Sequence, residues 1–284
     1  MPYMEIDANA KINLSLDVLR KREDGYHELR MIMQSVELHD TVVLEAGGEG
    51  IAVECDSRWV PNSRDNIACK AAALIMEKYG IKSGLKIRII KRIPVAAGMA
   101  GGSADAAAVL KGLNSMFSIG LDMPGLMALG RKIGADVPYC IAGGTMLAEG
   151  IGELLTPLPP FKGVDLVILK PKIGVSTAWV YQNLDLGKPP DRPDTGLLTA
   201  AVGNGDIRTV AANMKNVLES VTIPRYGVVD EAKKRLVELG ALGSMMSGSG
   251  PSVFGIFEDR DRAAAAARAA SGDKRWDCCA TYTN

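Results

Sequence analysis

A loop rich in glycine and alanine is the stretch of this sequence best suited to chemistry. It runs from Pro94 to Ala104, after a segment of β-type residues and before an alanine-rich helical segment, and it contains three glycines. Glycine lets the backbone approach a ligand closely, and the N–H groups and partial positive charge of a helix start favour a phosphate. We therefore predict an anion site at this loop, where Ser103 can cap the helix or donate its hydroxyl group.

The loop does not match the two commonest nucleotide-binding patterns. No lysine follows Gly102, as a P-loop requires, and no G-x-G-x-x-G sequence follows a strand. Small-residue loops before helices also occur without a ligand, so the loop alone leaves a purely structural role open.

Lys11 is the first charged residue suited to work beside such a loop. It lies between Asn9 and Asn13 in a segment, Met4 to Val18, whose apolar and polar residues alternate strictly. The alternation predicts a strand with one buried face. On the other face, a lysine flanked by two amides offers hydrogen-bond donors to phosphate oxygens, although such a face is more often simply solvated.

Asp136 is the second candidate. It precedes Val137 and Pro138, among small and apolar neighbours, and stands at a predicted helix start. An aspartate there can be an ordinary helix cap. A carboxylate held rigidly at that place can alternatively accept a proton.

Two turns carry further groups of interest. Asp24-Gly25 is a turn signal that projects Tyr26, which can stack on a flat ring, and His27, one of two histidines in the chain. A single loop histidine is usually only solvated. The other turn is the glycine- and serine-rich stretch at 247–252, which in most proteins would be a plain loop.

Periodicity, caps and turn residues predict the elements that position these groups. After the first strand, strands are expected at 31–38, 41–46, 51–55, 85–93, 145–148, 165–169, 253–257 and 276–283. Helices are expected from Ser63 or Asp65 to about 78, from the glycine loop to about 116, from 122 to about 133, from Asp136, from Ser176, over 199–218 with an interruption, over 226–239, and from Asp259 to about 270. Glycines and prolines at 150–162 indicate a domain boundary, and those at 187–196 an exposed loop.

Composition restricts the class of protein. The 284 residues include 33 basic and 33 acidic side chains, well mixed, so no footprint of nucleic-acid or membrane binding is present. The five cysteines, an odd number without C-x-x-C spacing, favour a reducing compartment. No apolar run has membrane-spanning length and no secretory signal is evident. We therefore expect a cytoplasmic protein that binds neither nucleic acid nor membranes.

Four of these motifs, in order, resemble those of the GHMP small-molecule kinases. They are Lys11-Ile12-Asn13-Leu14, the loop from Pro94 to Ala104, Gly134-Ala135-Asp136-Val137-Pro138 and Ser247-Gly248-Ser249-Gly250-Pro251, and together they cover nearly the whole chain. The resemblance implies an α+β, two-lobed GHMP kinase fold. Residues 1–156 would form an N-terminal lobe like domain 2 of ribosomal protein S5, with a left-handed β-α-β unit. Residues 157–284 would form a ferredoxin-like α/β lobe, and the active site would lie between the lobes.

The stretch Asp24-Gly25-Tyr26-His27 and the expanded glycine loop narrow the resemblance. They are similar to GHMP kinases that act on a cytidine diphosphate-linked methylerythritol in the non-mevalonate route to isopentenyl diphosphate. The implied activity is ATP-dependent phosphorylation of the 2-hydroxyl group, giving the 2-phosphate and ADP.

The resemblance also implies roles for individual residues. Asp136 would be the base toward the substrate hydroxyl group, and Lys11 would keep that carboxylate ionised and offset charge on the transferring phosphoryl group. Tyr26 and Tyr181 would sandwich the cytosine, and His27 would hydrogen-bond it. Further contacts are implied for the substrate diphosphate (Asn13), for the phosphate-side turn (Gly248, Ser249 and Gly250), and for the ATP phosphates (Pro94, Val95, Ala96, Ala97, Gly98, Met99, Ala100, Gly101, Gly102, Ser103 and Ala104).

The loop departs from the family pattern at four alanines. Members often have glycine where Ala96, Ala97 and Ala100 stand and a second serine where Ala104 stands, which puts the nucleotide affinity in question. Magnesium is expected with ATP, but its ligands are not assigned. Asp105, expected in the first helical turn, is a candidate, and such acids are also ordinary partners of the helix dipole. A monomer or a homodimer is expected.

Three alternatives are open. Another GHMP kinase, for homoserine, mevalonate or a sugar, would have no base to stack on Tyr26 and His27. A non-catalytic nucleotide or sugar sensor on the same fold would have little need for both Lys11 and Asp136. A structural α/β protein with incidental glycine loops is the plainest alternative.

Overall fold

A computed structural model describes residues 2–187 and 191–284, and within them the chain forms ten strands and ten helices. The strands are β1 (Tyr3–Lys21), β2 (His27–Ala46), β3 (Ile51–Cys55), β4 (Leu85–Ile90), β5 (Thr145–Gly150), β6 (Leu154–Pro157), β7 (Asp165–Pro171), β8 (Gly243–Met246), β9 (Val253–Ile256) and β10 (Trp276–Tyr282). The helices are α1 (Ile67–Lys78), α2 (Gly101–Met116), α3 (Met123–Arg131), α4 (Val137–Ala142), α5 (Thr177–Gln182), α6 (Thr195–Gly203), α7 (Ile207–Asn213), α8 (Glu219–Arg225), α9 (Val228–Glu238) and α10 (Arg260–Ala270).

The chain divides into two compact units, and neither is a single stretch of sequence. Unit 1 consists of the chain up to Lys11, Leu38–Val95 and Ala100–Gly143. Unit 2 consists of Ile12–Glu37, Ala96–Met99 and Gly144–Asn284. The expected pair of domains, 1–156 and 157–284, stays a prediction. Each of the two units consists of three separate stretches, so they do not correspond to two consecutive domains.

Unit 1 contains the expected β-α-β unit. Strands β3 and β4 pair in parallel, and α1 connects them. Strand β4 also pairs antiparallel with residues 41–46 of β2. Helix α2 packs against α1, α3 and α4, and its interior face from Ala104 to Leu113 is almost entirely buried, mostly as alanine, valine and leucine. Small side chains let the helices approach closely and fix the start of α2 in place.

Unit 2 contains two sets of antiparallel strands. Residues 29–34 of β2 pair with β5, which pairs with β6. The second set forms a four-stranded sheet in the order β10-β7-β9-β8. Helices α9 and α10 pack on this sheet, which agrees with the expected ferredoxin-like α/β domain.

Strand β2 corrects one sequence prediction. The two strands expected at 31–38 and 41–46 are parts of one continuous strand. Residues 39 and 40 fell between the two expected strands, but the Asp40 side chain is fully buried. Its Oδ1 accepts hydrogen bonds from the backbone N–H groups of Arg92 (2.6 Å) and Ile93 (2.8 Å). A buried polar group therefore occupies the strand interior, with partners supplied from a distant part of the chain.

Two expected helix caps are wrong. Helix α1 is capped by Asn66, whose Oδ1 accepts from the Ala68 N–H at 2.9 Å, and not by Ser63 or Asp65. Helix α2 has Ala100 at its N-cap position without any side-chain cap, so Ser103 lies inside the first turn. The predicted caps of α3, α5 and α10 are confirmed, because Asp122, Ser176 and Asp259 each accept a backbone N–H of the first turn.

Segments rich in glycine and proline also contain regular elements that the sequence did not predict. The stretch at 150–162 contains β6, which pairs with β5 and is not a free linker. Strand β8 begins at Gly243, in a part of the chain where no strand was expected. The proline-rich loop expected at 187–196 gives way to α6 at Thr195, and its residues 188–190 lie outside the described part. None of the helices described is both long and apolar enough to cross a membrane.

Candidate active site

The polar face of β1 is buried from Lys11 to Asp17, whereas Glu5 and Asp7 near the start of the strand are exposed. Lys11 is 5% exposed, Asn13 and Ser15 are fully buried, and Asp17 is 6% exposed. The interpretation of this face as solvated is therefore wrong. Partners account for the burial of two of these groups: the Ser15 Oγ accepts from the Ile32 N–H at 3.2 Å, and Arg192 donates to Asp17 at 2.6 Å. Burying polar and charged groups is costly unless they are paired, so the stripe is a fixed array of polar groups.

Lys11 and Asp136 lie in the same neighbourhood of unit 1. Asp136 is at the N-cap position of α4, but its side chain makes no capping hydrogen bond, so the interpretation as an ordinary cap is wrong. One turn later, burial raises the pKa of the Cys140 thiol; Asp136 raises that pKa further, and Lys11 lowers it. The charges of Asp136 and Lys11 therefore act on the same buried thiol.

Lys111 is a charged residue of this neighbourhood that sequence analysis missed. It stands on α2, and burial lowers the pKa of its ammonium group. Its charge also lowers the pKa of the Cys140 thiol. The signal that could have found it is a lysine within the alanine- and leucine-rich run of α2. The charges that act on this thiol are thus those of two lysines, Lys11 and Lys111, and two aspartates, Asp136 and Asp105.

The glycine loop is strained at two of its alanines. Ala96 has φ +51° and Ala100 has φ +57°. These left-handed conformations cost an L-residue about 1–2 kcal/mol each and favour glycine. The strain explains why glycine suits positions 96 and 100. Nothing comparable distinguishes Ala97 and Ala104, which are simply buried at 3% and 2% exposure.

Ala100→Gly is expected to stabilise the protein by about 0.5–1 kcal/mol, because relief of the left-handed strain exceeds the added entropy of the unfolded chain. Chemical denaturation of the two proteins measures this difference. Ala265→Gly in the exposed interior of α10 is the matched control, where glycine should cost about 1 kcal/mol. Equal destabilisation by both substitutions would contradict the strain at position 100.

The middle of the glycine loop contacts the serine–glycine turn of unit 2. The Ser247 Oγ donates to the Gly98 carbonyl oxygen at 3.1 Å. Gly98 has φ +73°, and a Cβ added there would lie 2.1 Å from the Ser247 carbonyl oxygen. Backbone packs directly on backbone, so only glycine fits at position 98.

Asn13 joins β1 to the same turn. Its Oδ1 accepts from the Gly248 N–H at 3.1 Å, and its Nδ2 approaches the Met31 sulfur at 3.2 Å. The amide oxygen of Asn13 therefore accepts a hydrogen bond from the serine–glycine turn. The expected contact of Asn13 with a substrate diphosphate stays a prediction.

His27 and Tyr181 come together in unit 2. Their ring centroids are 5.1 Å apart with planes inclined by 32°. Burial and the charge of Lys21 lower the pKa of His27, so the ring is neutral at pH 7 and offers one donor and one acceptor nitrogen. Tyr26 projects from the turn and is 60% exposed. The turn itself is closed by the Arg22 N–H, which donates to the Tyr26 carbonyl oxygen at 2.8 Å.

Asp105 belongs to a buried ionic cluster. It is the fifth residue of α2 and not part of the first turn as expected. Lys91 donates to its Oδ2 at 2.9 Å and also pairs with Asp40. One ammonium group cannot neutralise two buried carboxylates, and burial raises the pKa of Asp105 to about 7. The cluster anchors the start of α2 to β2 and to the segment after β4.

Asp105 does not fit a magnesium ligand. It is 2% exposed, so a solvated ion on the nucleotide cannot reach it, and its Oδ2 is already bound by the Lys91 ammonium group. Within residues 2–187 and 191–284, no group of three or more histidine, cysteine, aspartate or glutamate side chains could hold a metal ion. A magnesium ion that arrives on nucleotide phosphates needs only one or two protein carboxylates, and no ligand is assigned to it.

Family models match both parts of the chain. The model of the GHMP kinases N terminal domain matches residues 66–144, and that of the GHMP kinases C terminal domain matches residues 198–274. The first match includes the glycine loop and Asp136, and the second includes the serine–glycine turn.

Similar proteins extend the agreement to the full chain. A 4-diphosphocytidyl-2-C-methyl-D-erythritol kinase of Acetivibrio thermocellus is 59% identical over 283 residues, which cover 100% of both chains. A crystal structure of 4-(cytidine 5'-diphospho)-2C-methyl-D-erythritol kinase matches with a TM-score of 0.87 and 34% identity, over 99% of both chains. Homoserine kinase from Cytophaga hutchinsonii matches with a TM-score of 0.77 and 20% identity, over 100% of this chain and 95% of that one, and so shares the fold.

Proposed function

This chain belongs to the 4-diphosphocytidyl-2-C-methyl-D-erythritol kinases of the GHMP kinase family, and we propose that it transfers the γ-phosphoryl group of ATP to the 2-hydroxyl group of 4-diphosphocytidyl-2-C-methyl-D-erythritol. The products are ADP and the 2-phosphate, and the reaction is a step of the non-mevalonate route to isopentenyl diphosphate. The observation that carries this function is the 59% identity with a kinase of that name from end to end of the chain.

The reaction depends on positioning and on charge stabilisation. Asp136 accepts the proton of the substrate hydroxyl group. The hydroxyl oxygen forms a bond to the γ-phosphorus, and the bond from that phosphorus to the oxygen of the leaving ADP breaks. Lys11 offsets negative charge on the transferring group. These roles are supported by the burial of Lys11, by the action of both charges on the Cys140 thiol, and by the absence of a capping hydrogen bond at Asp136.

The nucleotide phosphates bind along the loop from Pro94 to Ala104. The start of α2 supplies backbone N–H groups and a partial positive charge toward them. Magnesium enters as part of the nucleotide substrate and neutralises phosphate charge. Because all five cysteines are free thiols, a reducing cytoplasm is the compartment that we propose.

The cytosine ring binds at the aromatic side of unit 2. His27, neutral at pH 7, offers a donor and an acceptor to the base edge, and Tyr181 packs beside it at 5.1 Å between ring centroids. Tyr26, exposed on its turn, supplies a face for stacking.

A coupled assay of ADP release tests the function. ADP should appear with 4-diphosphocytidyl-2-C-methyl-D-erythritol and not with homoserine, mevalonate or galactose. Release with one of the other acceptors would assign the chain to another GHMP kinase activity. Nucleotide binding without release for any acceptor would favour a sensor.

Tyr26→Ala should raise the KM for the cytidylyl substrate about tenfold and the KM for ATP less than twofold, because stacking on an aromatic face contributes on the order of 1 kcal/mol. Steady-state kinetics with each substrate varied in turn measures the two constants. Tyr3→Ala, at an equally exposed tyrosine near the start of β1, is the control and should change neither constant. Equal increases in both constants in Tyr26→Ala would argue against stacking.

A further inference from the structure

We propose that Asn216 is a positioning residue for phosphoryl transfer, which holds the turn Ser247–Gly250 in the conformation that supports the glycine loop. The inference rests on the proposed function, since it assigns a consequence for ATP to the contact at Gly98. Asn216 itself is 5% exposed and acts through the turn.

The backbone around Asn216 is fixed to β1. Asn216 lies between α7 and α8. The Leu16 N–H donates to the Lys215 carbonyl oxygen, and the Val217 N–H donates to the Leu16 carbonyl oxygen, both at 3.0 Å. The Oδ1 of Asn216 accepts from the Leu218 N–H at 3.0 Å. The side chain therefore starts from a rigid base.

The side-chain amide of Asn216 forms hydrogen bonds to the turn on both sides of Ser247. Its Nδ2 donates to the carbonyl oxygens of Met246 and Gly248, each at 2.8 Å. The Gly248 N–H meanwhile donates to Asn13 at 3.1 Å. Both peptide bonds of Gly248 are thus held by buried amides, and the turn has little freedom to rotate.

Ser247 lies between Met246 and Gly248, whose carbonyl groups accept from Asn216, and it contacts the glycine loop. Its hydroxyl group donates to the Gly98 carbonyl oxygen, and its own carbonyl oxygen lies where a side chain at position 98 would be. A shift of the turn therefore moves Ala96–Met99. The path from Asn216 to the proposed phosphate site consists of three contacts, each of them on the backbone of the turn or the loop.

Only an uncharged amide satisfies this arrangement. Asn216 uses both N–H donors and its acceptor oxygen. An aspartate of the same shape keeps the acceptor, loses both donors and places a negative charge against two carbonyl oxygens. The turn must then rotate or move away.

Asn216→Asp in the full-length enzyme tests the inference. We expect the KM for ATP to rise about tenfold and the KM for the cytidylyl substrate to rise less than twofold, because two hydrogen bonds are lost on the side of the ATP loop. Hydrogen exchange of peptides covering Ser247–Ser252 and Ala96–Met99 should become faster. Asn216→Ser, which is smaller and uncharged, should show the same pattern more weakly if the aspartate variant does not fold.

Asn114→Asp is the matched control. Asn114 also clamps a peptide, donating to the Leu121 carbonyl oxygen and accepting from the Leu121 N–H, both at 2.9 Å, but at the end of α2. It should lower stability without changing the KM for ATP. The inference is overturned if the Asn216 variants lose only stability, as this control does, or if both KM values rise equally with unchanged exchange. An inactive parent enzyme would instead refute the proposed function. Hydrogen exchange would still test whether Asn216 holds the turn and the glycine loop in place.

Discussion

Asp136→Asn should lower kcat about 10²–10⁴-fold while leaving the KM for ATP nearly unchanged. The amide cannot accept the proton of the substrate hydroxyl group, whereas the binding surface for the nucleotide is kept. Stability should hardly change, because the Asp136 side chain makes no capping hydrogen bond that the substitution could remove. Steady-state kinetics together with thermal denaturation separates the chemical effect from a folding effect.

Asp122→Asn is the control for this experiment. Asp122 does cap its helix, with its Oδ1 accepting from the Gly125 N–H at 2.9 Å, and asparagine is an equally good cap. The control should keep both kcat and stability. A kcat near that of the parent enzyme in Asp136→Asn would remove Asp136 from the role of base.

Gly98→Ala should lower kcat/KM for ATP about 100-fold. The added Cβ would lie 2.1 Å from the Ser247 carbonyl oxygen and 3.2 Å from the Gly250 nitrogen. Relief of a contact this short requires a movement of about 1 Å, and a misplacement of that size in an active site costs about 10²-fold in rate. The neighbouring atoms are backbone, so no side chain can rotate to make room.

Gly205→Ala separates the clash from the strain. Gly205 has φ +66°, close to the +73° of Gly98, but nothing lies within 4 Å of an added Cβ. The Gly205→Ala variant should lose about 1–2 kcal/mol of folding stability, and its kcat/KM for ATP should not change. If Gly98→Ala behaves in the same way, the contact between loop and turn has no part in catalysis.

Sequence reasoning succeeded where the determining partners are close in the chain. The caps Asp122, Ser176 and Asp259 each bind a backbone N–H three residues later. The alternation along β1 and the turn at Asp24-Gly25 are equally local. Lys11 and Asp136 were identified by their residue types and motifs, and the structure adds that the charges of both act on the Cys140 thiol.

Sequence reasoning failed where a polar residue is paired with a distant one. Asp40 was left between two predicted strands, because its partners, Arg92 and Ile93, are 52 and 53 residues away. Asn216 gave no signal at all, since it binds carbonyl groups 30 and 32 residues further on. Sequence patterns over a few neighbouring residues do not indicate such distant pairings. The cap at Ala100 was missed for a different reason, because a left-handed alanine contradicts local preference and is held there by the surrounding fold.

The interleaving of the two units determines how the protein can be taken apart. Six stretches alternate between the units, so the chain passes from one to the other five times. A fragment beginning at Gly144 would lack residues 29–34, and the hydrogen-bonding edge of β5 would be left bare and prone to aggregate. A fragment ending at Gly143 would carry those residues without their partner strand. We therefore expect neither fragment to fold as an independent module, so that a working enzyme requires the whole polypeptide.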